Sequence, residues 1–177
     1  MASNVEIKAR ARELRALADR ALSAGAAEAG VFRQEDTFFR CSSGRRKLRV
    51  VEGAGAELIA YQRPDEAGPK VSRYEVVPVA DPVRMKAALS SACGVLGVVR
   101  KRRSLLLLGR TRIHLDEVEG LGGFVELEYV RERGEPHEQG RGTVQSLMNH
   151  LGIRQEDLVE GAYLDALLPG GPEPATG

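Results

Sequence analysis

Tryptophan is absent, and aromatic residues make up only 5% of the 177 residues. Platforms for stacked nucleobases are therefore scarce, which disfavours a nucleic-acid partner even though "VRKRRS" and "LGRTRIH" are locally basic. Cysteine is nearly absent too. Cys41 and Cys93 stand far apart and match no metal spacing, so they read as reduced thiols of a cytoplasmic protein. No apolar run approaches the length of a bilayer crossing, so no membrane partner is expected. The first residues carry Glu6 and Lys8 where a secretory signal would place an apolar stretch. There is no Walker loop, no zinc motif and no nucleophile elbow. Net charge is +1, so affinity for a polyanion must come from local placement of charge.

What is present is an ordinary globular composition, 42% hydrophobic and 29% charged. Residues 1–168 are expected to form one domain and 169–177 a disordered tail. In "ARARELRALADRALSAGA", Leu14, Leu17, Ala18, Ala21 and Leu22 keep the rhythm of an amphipathic helix that stops near Gly25. A second helix fits "DPVRMKAALSSACG", with Asp81 as cap and Gly94 as stop. A third fits "GRGTVQSLMNHLG", and a short fourth part of "QEDLVEGAYLDALL". "RERGEPHEQGRG" reads as a charged loop. Short alternating segments at 4–10, 31–40, 47–51, 57–62, 72–77, 98–103, 104–108, 110–118 and 124–130 read as strands. Many hairpin strands with few helices make an antiparallel α+β pattern.

The strand faces are unusual. Alternation puts Asn4, Glu6 and Lys8 on one face, and likewise Lys47 with Arg49, and Arg73 with Glu75. Arg110, Arg112, His114 and Asp116 share another, as do Glu126 and Glu128. Residues 100–103 are all basic. A single such strand is most simply a half-solvated sheet. Charges of both signs on so many strands fit a barrel with its charged faces turned inward and its apolar faces covered by the amphipathic helices. A dry lumen of that kind would be too costly. A wet one suits a hard divalent cation on the carboxylates and phosphate oxygens on Arg and Lys.

The ordered motifs resemble the CYTH superfamily of triphosphate tunnel enzymes, which includes class IV adenylyl cyclases and thiamine triphosphatases. "NVEIK" is similar to its E-x-E-x-K signature, "QEDTFF" to Q-x-D-x-Y-F, "KLRV" to L-R-I-R and "YQRPD" to Y-K-x-P. "SRYEVV" is similar to R-x-E-x-E, "VRKRR" to V-x-K-x-R, and "RIHLDEVEGLGGFVELE" to H-L-D, V-x-x-L-G and F-x-E-x-E in order. The resemblance runs from about residue 4 to 168. It implies an eight-stranded antiparallel tunnel barrel with a charged lumen that holds a triphosphate-containing small molecule with Mg²⁺ or Mn²⁺. Glu6, Asp116, Glu126 and Glu128 match its metal positions, and Glu75 its middle-strand acid. Lys8 matches the lysine that contacts phosphate or helps activate water. Lys47, Arg49, Arg73, Lys101, Arg103, Arg110 and Arg112 match its basic lining.

The chain departs from the pattern at Asn4, where the first signature acid is expected, at Gln62, where a lysine is expected, and at Val77, where a second acid is expected. The expected activity is metal-dependent hydrolysis of an inorganic or organic triphosphate. The three departures motivate the alternative of a non-catalytic binder, and the family itself that of a cyclase forming cyclic AMP from ATP. A monomer and a homodimer are both compatible with the sequence.

Overall fold

Where apolar and charged residues alternate, the chain pairs into eight antiparallel strands that close on themselves. The computed structural model describes residues 2–168, so the expected tail lies outside the described residues. The strands are β1 (Ala2–Arg10), β2 (Ala27–Phe39), β3 (Arg45–Val51), β4 (Gly55–Gln62), β5 (Lys70–Pro78), β6 (Val95–Leu108), β7 (Thr111–Val118) and β8 (Gly122–Val130). Their order around the barrel is β1-β5-β4-β3-β2-β6-β7-β8, and β8 pairs with β1. Closure leaves no sheet edge to protect. The segments 98–103 and 104–108, expected as two strands, are one strand. No turn residue separates Arg103 from Ser104, so nothing interrupts the ladder.

Four α-helices accompany the barrel: α1 (Leu14–Ser23), α2 (Pro82–Cys93), α3 (His137–Leu151) and α4 (Tyr163–Leu167). α1 buries Leu17 and Ala21, and α3 buries Val144, Leu147, Met148 and Leu151. Both pack on the outward apolar rows Val5, Ile7 and Ala9 of β1, Ile113 and Leu115 of β7, and Val125 and Leu127 of β8. α3 comes so close that a Cβ on Gly140 would lie 2.7 Å from Val5 Cγ2. It ends at Gly152 with φ 69°, a left-handed cap suited to glycine. The second half of the expected loop "RERGEPHEQGRG" forms the first turns of α3.

α2 departs from the expected role. Asp81 caps it, accepting from the Arg84 backbone N–H at 3.0 Å, but none of its residues is buried. Met85 and Leu89 are half-buried where it lies along β2 and β3, and the Lys86–Glu35 contact at 2.7 Å ties it to the outer face of β2. After α3 the chain runs past the end of β1, where the Val159 N–H donates to the Lys8 carbonyl at 2.9 Å. It then enters the barrel end, where Tyr163 and Leu164 join Phe38, Val99 and Phe124 in a second apolar cluster. That cluster closes one end of the lumen. Among the described residues no helix is long and apolar enough to cross a membrane.

Candidate active site

Residues directly opposite across a ladder share a face, so the pairing register decides what lines the lumen. Glu6 pairs with Glu128, and Lys8 with Glu126. Arg112 pairs with Glu128, His114 with Glu126, and Arg103 with Asp116. Arg49 pairs with Asp36. These chains converge on one cavity of about 1020 Å³.

Its acids hold its cations in place. Asp36 accepts from Lys47 Nζ, Arg49 Nε and Arg49 Nη2, each at 2.8 Å. Burial alone would raise its pKa, but the Arg49 and Lys47 charges override that and hold it well below the usual carboxylate range. Asp116 is fully buried and accepts from Arg103 at 2.6 and 2.5 Å, from Lys101 at 3.3 Å and from the Tyr163 hydroxyl at 3.0 Å. Burial opposes its ionisation, yet the Arg103 and Lys101 cations keep its pKa below normal. Arg103 also donates to Glu126 at 2.6 Å, and Lys8 lies 3.2 Å from that carboxylate. Burial pushes the Lys8 ammonium's pKa down, partly offset by Glu126. Burial, with Arg49 beside it, lowers Lys47 to about 7, and burial with Arg103 lowers Lys101 to about 8.

Opposite the cations lie oxygen donors. Asn4 donates its amide to Glu128, while its buried Oδ1 has no hydrogen-bond partner. His114 lies between Glu126 and Glu128 at 3.5 and 3.7 Å, and burial lowers its pKa. Among the described residues no group of three or more His, Cys, Asp or Glu is arranged as a ready metal cage. That does not conflict with Mg²⁺ or Mn²⁺ binding, because such hard ions commonly take one or two carboxylates and complete their shell with substrate phosphates. The orphaned Asn4 oxygen beside Glu128 fits such a donor set.

Of the residues expected from sequence, Glu6, Lys8, Lys47, Arg49, Lys101, Arg103, Arg112, Glu126 and Glu128 line this cavity. Asp116 lies behind it, wholly engaged as counter-ion. Arg73 and Glu75 do not line it. Glu6 pairs with Lys70 and Asn4 with Ser72, so Ser72 and Tyr74 line the cavity, Lys70 shares their face and donates to the Glu66 carbonyl at 2.5 Å, and Arg73 and Glu75 are on the opposite face. Neighbouring positions on a strand face opposite sides, so the two residues matched to the motif are on the side of β5 away from the cavity. Arg110 is also outside. It lies in the turn before β7, donates to Glu135 at 3.0 and 2.8 Å, and its guanidinium carbon stands 4.9 Å from the Tyr129 ring centre.

The same logic removes two of the three departures. Gln62 faces outward and donates to Ser43 at 3.2 Å, while Arg63 turns in and donates to Glu6 and, at 2.5 Å, to the Gly161 carbonyl. Val77 is on the outer face and 55% exposed. Asn4, by contrast, does line the cavity. Asp36, Arg63, Lys70 and Tyr163 were missed. Asp36 and Arg63 were readable from parity with Gln34 and Tyr61. Tyr163 had no such signal, because nothing in a short helix says that it enters a barrel.

Comparison with known proteins agrees with the closed-barrel fold. The chain superposes on a conserved Pyrococcus furiosus protein at TM-score 0.81 and 20% identity, covering 91% of this chain and 98% of that one. A Pyrococcus horikoshii protein gives 0.79 and 22% over 91% and 97%. A Hippeastrum protein with a dominant triphosphatase activity gives 0.66 and 19% over 98% of both chains. No curated protein matches the sequence. The CYTH domain model matches residues 2–163, nearly the whole of the closed barrel and its plug, and the chain belongs to the CYTH domain family.

Proposed function

We propose that the protein hydrolyses a triphosphate with a divalent cation, Mg²⁺ or Mn²⁺, inside the barrel. The observation that carries this is the division of the lumen. Lys47, Arg49, Lys101 and Arg103, held by Asp36 and Asp116, gather on one side, and Glu128 and the orphaned Asn4 oxygen lie beyond Glu126, which pairs with Arg103 and Lys8 between them. Lys47, Arg49, Lys101, Arg103, Arg63 and Arg112 supply donors for nonbridging phosphate oxygens, with the arginines able to bind two at once. Glu126, Glu128 and Asn4, with Glu6 on the same face, would hold the metal, which supplies positive charge against the developing phosphoryl charge. Lys8, buried and depressed in pKa, orients the attacking water or accepts its proton. Asp36 and Asp116 keep the phosphate-binding cations in place.

The test is phosphate release. Purified protein with Mg²⁺ or Mn²⁺ releases phosphate from tripolyphosphate or thiamine triphosphate, and Glu126→Ala abolishes it. Equal release by wild type and mutant across a panel of triphosphates sinks the proposal. Asn4 favours a second reading, a binder without turnover, which predicts calorimetric binding of triphosphate and no phosphate release. Cyclic AMP from ATP would instead identify a cyclase.

A further inference from the structure

The chain has two cysteines, Cys41 and Cys93, and folding brings their segments together. Phe39, the last residue of β2, pairs with Val95, the first of β6. One step further out, the Arg40 backbone N–H donates to the Gly94 carbonyl at 3.1 Å, and a Cβ on Gly94 would lie 3.6 Å from Arg40 Cδ. Cys41 follows Arg40 in the turn to β3, and Cys93 precedes Gly94 as the last residue of α2. Each cysteine is thus one residue beyond the last backbone bond between the two segments. Residues opposite each other on an antiparallel ladder stand about 4.5–5.5 Å apart between Cα atoms. A disulfide spans about 4.4–6.8 Å between the same atoms.

The sides of the two elements agree as well. α2 lies along the outer face of β2, tied there by Lys86 to Glu35. Cys93 shares the half-buried side of that helix with Met85 and Leu89. Phe38 lines the cavity, so Phe39 faces outward, and Cys41 comes in phase with that outer row. Cys41 is exposed and Cys93 half-buried, so a small reagent can reach the pair.

We propose that Cys41 and Cys93 are a redox pair that closes into a reversible disulfide and pins the end of α2 to the turn between β2 and β3. This goes beyond the triphosphatase reading and does not rest on it. The oxidant is a small-molecule disulfide. The Cys41 thiolate attacks one of its sulfurs, forms a mixed disulfide and releases one small thiolate. The Cys93 thiolate then attacks the Cys41 sulfur, and the second small thiolate leaves. Two electrons pass to the small disulfide, and the two cysteine protons end on the two released thiols. An excess of those thiols reverses both steps. Cys41 gives up only its contact with the Gly44 carbonyl, at 3.3 Å. The closed loop contains β3, β4, β5 and α2, and a long loop restricts the unfolded chain strongly. α2 has no fully buried residue of its own, so the bond adds an anchor where packing supplies little.

The experiment incubates the full chain with oxidised glutathione, alkylates the remaining thiols and digests with trypsin. Monomeric protein yields residues 41–45 joined to residues 87–100, and the link disappears on reduction. The oxidised protein melts about 5 °C or more above the reduced one. Cys41→Ser and Cys93→Ser each lose the link and the rise. Links between two chains in place of the internal one overturn the pair, as do glutathione adducts on both cysteines or thiols that stay free. An internal link without a rise in melting temperature overturns the pinning of α2. If a serine variant does not fold, peptide mapping and melting of the oxidised and reduced wild type decide by themselves.

Discussion

The Tyr163 hydroxyl donates to Asp116 Oδ2 at 3.0 Å inside the end of the barrel. The same carboxylate holds Arg103 and Lys101, and Lys8 Nζ stands 3.8 Å from the centre of the Tyr163 ring. The segment that plugs the barrel therefore shares an anchor with the cations of the proposed phosphate wall. Packing and chemistry meet in one residue, so the two variants of Tyr163 separate them.

Tyr163→Phe removes one hydrogen bond to an ionised carboxylate and keeps the buried ring, and should cost about 2 kcal/mol. Tyr163→Ala also empties the space against Phe124, whose ring centre is 4.9 Å away, and should cost about 3–5 kcal/mol. Urea unfolding measures both. Equal losses would mean that the ring is not part of the core.

The depressed carboxylates set the acid limit. Asp36, Asp116 and Glu126 all have folded pKa values below their ordinary ones, so the unfolded chain binds protons first as pH falls. Their stabilisation is complete above the unfolded values, about 4, and is lost as pH drops toward the folded ones. Asp36→Asn leaves Lys47 and Arg49 without their counter-ion, and should cost about 3–5 kcal/mol at neutral pH. Its stability should also change less than that of wild type between pH 5 and pH 2. Chemical denaturation along a pH series shows both effects, and an acid slope as steep as that of wild type would exclude Asp36 as a main contributor.

Register makes a sharper demand on activity. Arg73 faces outward, so Arg73→Ala should change triphosphate turnover by less than about twofold. Arg63 faces inward on Glu6, so Arg63→Ala should cost about tenfold or more in kcat/KM. The reverse order of effects in steady-state assays would show that the assigned register of β5 and β4 is wrong.

That contrast also shows what was legible in the sequence. The barrel could be read because Glu6 and Lys8, Lys47 and Arg49, and Glu126 and Glu128 each alternate with apolar residues that have to be covered. β5 could not be read that way. Lys70 and Ser72 share a face with Tyr74 and Val76, and Arg73 and Glu75 share theirs with Val71 and Val77, so both faces are mixed and hydrophobic alternation does not choose between them. The choice is made by the ladder contact of Glu6 with Lys70, which is a long-range fact. Arg110 failed for a local reason, since a turn residue is not bound by the parity of the strand that follows.

At Asn4 an amide lines the cavity where the motif resemblance implies a carboxylate. Asn4→Glu puts a carboxylate next to Glu128, adding charge to the oxygen donors and removing the amide that Glu128 accepts from. The metal concentration for half-maximal activity should fall by about tenfold, because hard-ion affinity follows ligand charge. The metal-free protein should be destabilised, since two carboxylates then repel. Activity titrations with Mg²⁺ and melts in chelator test the two halves. A variant with unchanged metal dependence would place the cation away from Asn4.

The lysines give a signature that needs no turnover. Burial and neighbouring cations lower Lys47 to about 7 and Lys101 to about 8, so at pH 8 both are partly neutral in the free protein. A bound triphosphate brings negative charge against them and favours their protonated forms. Binding at pH 8 should therefore take up protons, with the last phosphate proton, of pKa about 6, already lost from the ligand. Affinity should correspondingly fall as pH rises from 7 to 9, because the free protein must gain protons to bind. Calorimetry in buffers of different ionisation enthalpy reads the uptake directly. Lys47→Arg, fixed in its charge, should remove the share due to Lys47 and flatten the pH dependence. Binding enthalpy that is independent of buffer at pH 8 would mean that the phosphates do not approach Lys47 and Lys101, and would move the triphosphate out of the inner lumen.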